Sequence, residues 1–320
     1  MEIASCAGKP APRNDRRARI TALTLIVAAW LLAACGGQPL AGMPTETATK
    51  PAPQASAAAA TATLDVNLAK ATETQAALAT QLVKAECLET GGEVTYHEVD
   101  SAYLDYGLRF RVYTPPCYDQ SVERYPVLYL VHGQTYNDDQ WDRLGADEAA
   151  SALIAAGEVA PFIIVMPYDR SSNQPSQDPF RQAVIEELLL WVDANYRTLT
   201  EREFRAVGGL SRGASWAIHF AFNYPELFSA VGGHSPPVFQ EDAPQMRGWL
   251  DGMAMDNMPR IWLDIGERDQ RAILNSAIWF EELLTQRNIP HEWYLFSGDH
   301  SEAYWSSHVE QYLRWYAQDW

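Results

Sequence analysis

From Glu93 onward the chain alternates short apolar runs with stretches of helical period. Val94–Val99 and Leu108–Tyr113 switch between apolar and polar residues, which predicts an antiparallel hairpin with one wet face. Largely apolar runs follow at Val127–Val131, Phe162–Val165, Phe204–Val207, Phe228–Val231, Ile261–Ile265 and Trp293–Phe296. Runs without a polar face belong to strands covered on both sides. Asp178-Pro179 reads as a helix N-cap with Pro at the first helical position. Phe180, Val184, Ile185, Leu188, Leu189, Val192 and Tyr196 then recur at helical spacing. Further helices are predicted over Ala214–Phe222, Ala272–Arg287 and Ser301–Tyr316. Strand and helix in alternation predict an α/β domain. Its sheet is doubly wound and mostly parallel, antiparallel at its leading edge, with helices on both faces.

The first 85 residues follow no such pattern. Lys9, Arg13, Arg16, Arg17 and Arg19 precede an apolar run, Ile20 to Ala34, that is short for crossing a bilayer. Charge, apolar run and small residues in that order predict a signal peptide over residues 1–34, the alternative being a single membrane anchor. Leu32-Ala33-Ala34-Cys35 resembles a bacterial lipobox, which makes Cys35 the expected lipidated N-terminus. Several acyl chains on one residue anchor stably, because each buried methylene adds about 0.8 kcal/mol. Residues 35–85 are rich in Ala, Thr, Pro and Gln and poor in large apolar side chains, so they read as a disordered tether. The globular domain is expected over residues 86–320, exported to the bacterial cell envelope and held there on the extracytoplasmic side.

The chain has 320 residues, 47% of them hydrophobic, and a net charge of -17. Cleavage after residue 34 removes five Lys/Arg and two Asp/Glu, taking the charge to -20. A surface that acidic repels nucleic acid, which is not an expected partner. Cys87 and Cys117 flank the first strand pair, and outside the cytoplasm they are expected to pair as a disulfide. No Cys or His spacing suggests a metal site, and no cofactor is expected.

Candidate chemistry is concentrated in turns that follow strands. Gly209-Leu210-Ser211-Arg212-Gly213 lies between the run Phe204–Val207 and the helical stretch from Ala214. That is the context of a nucleophile elbow, with Ser211 exposed at a sharp turn. An acyl-transfer site also needs two backbone N–H groups aimed at the developing oxyanion. Arg212, next after the nucleophile, and Gln134, in the loop after Val127–Val131, are the expected donors. His132 is expected to bond within that loop. Asp269, past the end of Ile261–Ile265, is the favoured acid over Asp264 within the strand and Glu267 a step early. Of the histidines beyond it, His291 opens a strand and His308 sits in a helix. His300 alone occupies a polar turn, Ser297 to Ser301, from which a ring can reach Ser211. Ser211, Asp269 and His300 thus form a candidate triad for attack on an ester carbonyl.

Tyr125–Gly133 with Trp141, the elbow Gly208–Ala214, Ile265–Asp269 and Gly298–Trp305 resemble the "putative esterase" (esterase D-like) family of α/β-hydrolases. That family includes feruloyl, acetylxylan and enterochelin esterases and S-formylglutathione hydrolases; the export signal speaks against the last, cytoplasmic branch. The resemblance covers residues 93–317. It implies the α/β-hydrolase fold, the triad Ser211, Asp269 and His300, and the oxyanion donors Gln134 and Arg212. It also implies that Trp141, Tyr168, His234 and Trp305 line the pocket. The expected activity is hydrolysis of small-molecule or polymer-linked esters, feruloyl, acetyl-sugar or siderophore in type. An acyltransferase on the same triad and a catalytically silent binding lipoprotein are the alternatives. Oligomeric state leaves no mark in the sequence.

Overall fold

The computed structural model describes residues 87–320. Residues 1–34, expected as an export signal, Cys35 and the expected tether lie outside the described residues. Eight strands make one sheet: β1 (Glu93–Val99), β2 (Leu108–Thr114), β3 (Val127–Val131), β4 (Ile163–Pro167), β5 (Arg205–Leu210), β6 (Ala230–His234), β7 (Arg260–Gly266) and β8 (Glu292–Phe296). Their order is β1-β2-β4-β3-β5-β6-β7-β8. The β1–β2 and β2–β4 pairs are antiparallel and the other pairs parallel. The architecture is the α/β-hydrolase fold that the family resemblance implies, with the mostly parallel sheet and antiparallel leading edge that the alternating pattern predicts. Besides a single helical turn at Gln140–Arg143, seven helices accompany the strands among the described residues: α1 (Ala146–Ala155), α2 (Phe180–Asn195), α3 (Arg212–Asn223), α4 (Ala243–Gly252), α5 (Arg271–Gln286), α6 (Glu302–Ser306) and α7 (Val309–Ala317). The middle of α2, Ala183–Leu188, is π-helical.

Neighbouring residues on a strand face opposite sides of the sheet, and the core divides accordingly. Val127, Tyr129 and Val131 of β3 join the cluster under α2, α3, α4 and α5. Leu128 and Leu130 join the cluster under α1, α6 and α7. The helix expected over Ser301–Tyr316 is two helices, broken at Ser307 and His308. The break lets the first piece serve the turn that holds His300, while the second buries Tyr312, Leu313 and Tyr316. In open α/β sheets, ligands gather beyond the carboxyl ends of the parallel strands. There this chain places His132–Gln134 after β3, Ser211 after β5, Asp269 after β7 and His300 after β8.

His132 fastens two of those ends together. Its Nε2 accepts the N–H of Asp169, beyond β4, at 2.9 Å. The proton is therefore on Nδ1, which donates to the Gly133 carbonyl at 2.7 Å. Burial pushes the imidazole down to about 4, against the pull of the Gly133 carbonyl and the Asp138 charge. The expectation of a loop-bound rather than proton-shuttling His132 matches this geometry.

Two stability measurements follow from these ties. Between pH 6.5 and about 4 the unfolded chain binds a proton at residue 132 that the folded chain refuses. Stability therefore falls on acidification through that window, by about 3 kcal/mol from this group. Urea titrations at pH 7 and 4.5 are expected to show a smaller pH difference in His132→Gln than in the wild type. The second tie is the disulfide joining Cys87 to Cys117, with Cα atoms 5.7 Å apart and a sequence separation of 30. Closing a loop of that length constrains the unfolded chain, typically by about 2–4 kcal/mol. The double variant Cys87→Ser/Cys117→Ser is expected to lose that amount in a urea titration while keeping the wild-type far-ultraviolet spectrum.

Candidate active site

Strand β5 enters a turn with no room for side chains at its two glycines. A Cβ on Gly209 would lie 2.3 Å from the carbonyl carbon of Gly213. A Cβ on Gly213 would lie 2.0 Å from the Val131 carbonyl oxygen. This close passage of α3 over β3 forces the intervening Ser211 to φ 52° and ψ -122°, a conformation that non-glycine residues rarely adopt. Its N–H is held by the His234 carbonyl at 2.8 Å. The hydroxyl points into a cleft of about 500 Å³, lined among others by Gln134, Tyr136, Arg212, Pro237, Ile273, His300 and Trp305.

Three side chains separated along the chain meet there. His300 Nε2 lies 3.0 Å from Ser211 Oγ. Its Nδ1 lies 2.9 and 3.1 Å from the two carboxylate oxygens of Asp269. The carboxylate can only accept, so Nδ1 carries the proton and Nε2 is left free to accept the serine hydroxyl's. The Asp269 side chain is fully buried, and its Oδ1 also accepts the Gln270 N–H at 2.6 Å. The two turns are stitched together by Glu267 N–H to the Phe296 carbonyl, 2.8 Å, and Arg268 N–H to the Gly298 carbonyl, 2.9 Å. The other candidates are engaged elsewhere. Asp264 is buried against His234, Glu267 pairs with Arg268, His291 bonds to the Ile289 carbonyl and His308 to the Tyr304 carbonyl.

The two expected oxyanion donors flank Ser211. Arg212 is the first residue of α3, so its N–H has no acceptor within the helix and sits at the helix's positive end. Among the described residues the Gln134 N–H makes no backbone hydrogen bond. Its loop is set by Gln140, a fully buried residue whose Oε1 accepts the Gly133 N–H at 2.8 Å. Gln140 Nε2 in turn donates to Glu302, two residues past His300, at 3.2 Å.

The side chain of Arg212 turns away from the cleft into a buried ion cluster. Nε reaches Asp169 at 2.7 Å, and the terminal nitrogen reaches Asp178 at 3.0 Å and the Asn173 carbonyl at 2.8 Å. Trp216 Nε1 shares Asp169 at 2.7 Å, and Ser171 donates to Asp178. Burial, reinforced by the Asp169 charge, raises the Asp178 carboxyl above its ordinary value despite Arg212. Breaking such a buried pair strands a charge at a cost of about 3–5 kcal/mol, so the elbow and the loops after β4 are locked as a unit. Asp169 and Gln140 escape a reading of the sequence, and Asp178 is legible in it only as a helix N-cap, its Oδ1 accepting the Phe180 N–H at 3.0 Å. The only hint of the ion cluster is that a charged Arg212 in a glycine-walled turn needs buried carboxylates nearby.

Of the four aromatic residues expected in the pocket, Trp305 lines the cleft, its ring edge-on to His300 with centroids 4.9 Å apart. The other three are corrected by the structure. Trp141 is in the core, because its indole N–H finds the Val131 carbonyl at 3.0 Å. His234 is completely buried between Asp264 and Tyr316. Tyr168 is not among the residues lining the cleft and packs against the His132 ring and the Arg109 guanidinium. Among the described residues no group of three or more His, Cys, Asp or Glu is placed to hold a metal ion.

Comparison with known proteins places this arrangement. The family model described as "Putative esterase" matches residues 101–316. An endo-1,4-β-xylanase/feruloyl esterase of Xylanibacter ruminicola is 35% identical over 133 residues, 38% of this chain and 18% of that protein. An esterase of Mycobacterium tuberculosis is 32% identical over 161 residues, 47% of this chain and 34% of that protein. The matched stretches thus span about a third or less of the length of these curated relatives. Among solved structures, a ferulic acid esterase superposes with a TM-score of 0.65 at 22% identity, covering 72% of this chain and 99% of the other. An S-formylglutathione hydrolase of Agrobacterium tumefaciens gives 0.57 at 21% identity, covering 72% and 96%. At those identities the superpositions speak to the fold alone. The family model, by contrast, takes in two thirds of the sequence, from the first hairpin to the last helix, and the chain belongs to that esterase family.

Proposed function

We propose that the chain is a serine carboxylic ester hydrolase acting on bulky esters, feruloyl, acetyl-sugar or siderophore in type. We further propose that a lipid on Cys35 anchors it on the extracytoplasmic side of the bacterial envelope. The observation that carries the chemistry is one imidazole, His300, within hydrogen-bond reach of Ser211 on one side and buried Asp269 on the other. Ser211 Oγ attacks the ester carbonyl as His300 takes its proton, and Asp269 stabilises the imidazolium that forms. The carbonyl oxygen becomes an anion beside the Gln134 and Arg212 N–H groups, each such donor contributing about 2.7–4 kcal/mol. His300 returns the proton to the departing alcohol, and water then releases the acyl group by the same steps reversed.

Two features support a bulky acyl group. Since His300 protonates the alcohol, that half of the ester lies on its side of the cleft, toward Gln270 and Ile273. The acyl half is directed past the oxyanion donors. There a second depression of about 200 Å³ opens, sharing Gln134, Arg212 and Pro237 with the cleft. It would hold about six waters at roughly 30 Å³ each, more than an acetyl group fills. Its wall combines Val238 and Phe239 with the uncharged amides of Gln174 and Gln240, a lining suited to an aromatic acyl group with polar substituents. The sequence relative named as a feruloyl esterase supports the same choice.

Ser211→Ala is expected to lower p-nitrophenyl acetate turnover by about 10⁴-fold with an unchanged thermal melt; retained turnover removes the proposal. Feruloyl esters are expected to be cleaved faster than acetyl esters of the same alcohol. Filling the depression with Val238→Trp is expected to lower that kcat/KM ratio about tenfold; an unchanged ratio assigns the acyl group elsewhere. In bacterial expression, Cys35→Ala is expected to move the protein from the membrane to the soluble fraction; persistence in the membrane contradicts the lipid anchor.

A further inference from the structure

We infer that Asp264, in the middle of β7 and in no contact with the cleft, is a positioning residue for His300, acting through Tyr304. The inference rests on the reading of Ser211 and His300 as nucleophile and base.

Asp264 is fully buried, and four side chains donate to it. Oδ1 receives His234 Nδ1 at 2.6 Å and Trp262 Nε1 at 2.9 Å. Oδ2 receives Tyr304 Oη at 2.6 Å and Tyr312 Oη at 2.8 Å. Burial raises the carboxyl, but the neighbouring His234 and the donated hydrogen bonds outweigh it and hold Asp264 below the usual carboxylate range. It is therefore a charge in the core with its acceptor capacity filled by four donors.

Tyr304 connects this charge to the proposed active site. His300 directly precedes Ser301, the N-cap of α6, whose hydroxyl accepts the Tyr304 N–H. Helix α6 has five residues, far fewer than a helix needs to persist by itself. Its place is set by what its side chains grip. Tyr304 reaches Asp264, and Trp305 Nε1 reaches Ser235 Oγ, just past β6, at 3.2 Å. Ser235 is itself held to β7, its N–H donating to the Asp264 carbonyl at 2.7 Å. Helix α6 is also tied to the other side of the cleft through Glu302, which meets Gln140 and Arg143, and through Ser306, which donates to the Leu144 carbonyl. The Tyr304 and Trp305 anchors converge on residue 264, one through its carboxylate and one through its backbone. Trp305 also presses edge-on against the His300 ring. A misplacement of about 1 Å in a catalytic group can cost about 100-fold in rate. A loosened α6 therefore appears in turnover more than in binding.

The test uses two tyrosines that donate to the same carboxylate oxygen. Only Tyr304 belongs to the segment carrying His300; Tyr312 belongs to α7 and stacks on His234, with ring centroids 3.7 Å apart. In the full-length protein, Tyr304→Phe is expected to lower kcat on p-nitrophenyl acetate by about 10–100-fold, with KM within about threefold of wild type. Tyr312→Phe is expected to show a comparable drop in Tm with kcat within about threefold of wild type. If the two variants lose kcat equally, or Tyr304→Phe loses none, Asp264 is only a core stabiliser and the inference is overturned. If Tyr304→Phe does not fold, Ser235→Ala, which frees Trp305, carries the test: kcat falls at least about threefold at constant KM, or the inference fails. A wild type whose turnover survives Ser211→Ala would refute the underlying reading instead, a result distinct from either.

Discussion

At Gly209 and Gly213 the chain passes too close to itself and to β3 to carry a β-carbon, and that steric constraint sets the chemistry above it. Because α3 must start where β5 stops, Ser211 is bent into a conformation costing about 1–3 kcal/mol. The return on that strain is orientation. One serine hydroxyl is lifted clear of the sheet, and the first N–H of α3 is left without a helical partner beside it. The same turn throws the Arg212 guanidinium to the opposite side, where Asp169 and Asp178 seize it. The proposed nucleophile, the proposed oxyanion donor and the lock are consequences of one backbone path.

Around this turn the protein repeatedly uses buried polar groups as fasteners. Replacing buried ion pairs with apolar side chains is often neutral for stability, so their presence argues for geometry rather than strength. His132 joins the ends of β3 and β4, Gln140 joins the Gln134 loop to the segment after His300, and Arg212 joins the elbow to the loops after β4. Each spans tens of residues in sequence and only a few ångströms in space. Together they hold the strand ends at fixed separations, as a preorganised acyl-transfer site requires.

That long range also explains what could be read from the chain unaided. The strands, the elbow, and the Asp269 and His300 turns are local events, written in apolar runs and their punctuation, and the structure places them where those signals fall. Trp141, in the helical turn Gln140–Arg143, and His234, at the end of β6, are expected in the pocket only from the family resemblance, and both lie in the core. Which way such a side chain points depends on partners, the Val131 carbonyl for one and Asp264 for the other, that no local pattern displays. Asp169 and Asp178 lie 43 and 34 residues before Arg212, with no motif to join them. The break at Ser307 and His308 was hidden by aromatic residues that kept helical spacing through it.

Three Asp–His pairs occur in the described domain, and they show how little such a pair means in isolation. His234 on Asp264 faces the hydroxyl of Tyr316 in the core. His219 on Asp242 ends in an Nε2 that is buried without a partner. Only His300 on Asp269 presents its second nitrogen to a hydroxyl at an open cleft, which Gln134 and Arg212 also line. The pairs share their chemistry and differ in surroundings. A phenol whose ionisation is strongly opposed by burial, as at Tyr316, makes a poor nucleophile, and a ring facing nothing has no proton to move. What separates the proposed active site from its two buried counterparts is access: Ser211 opens on a cleft, and the residues proposed to meet the developing charge line that same cleft.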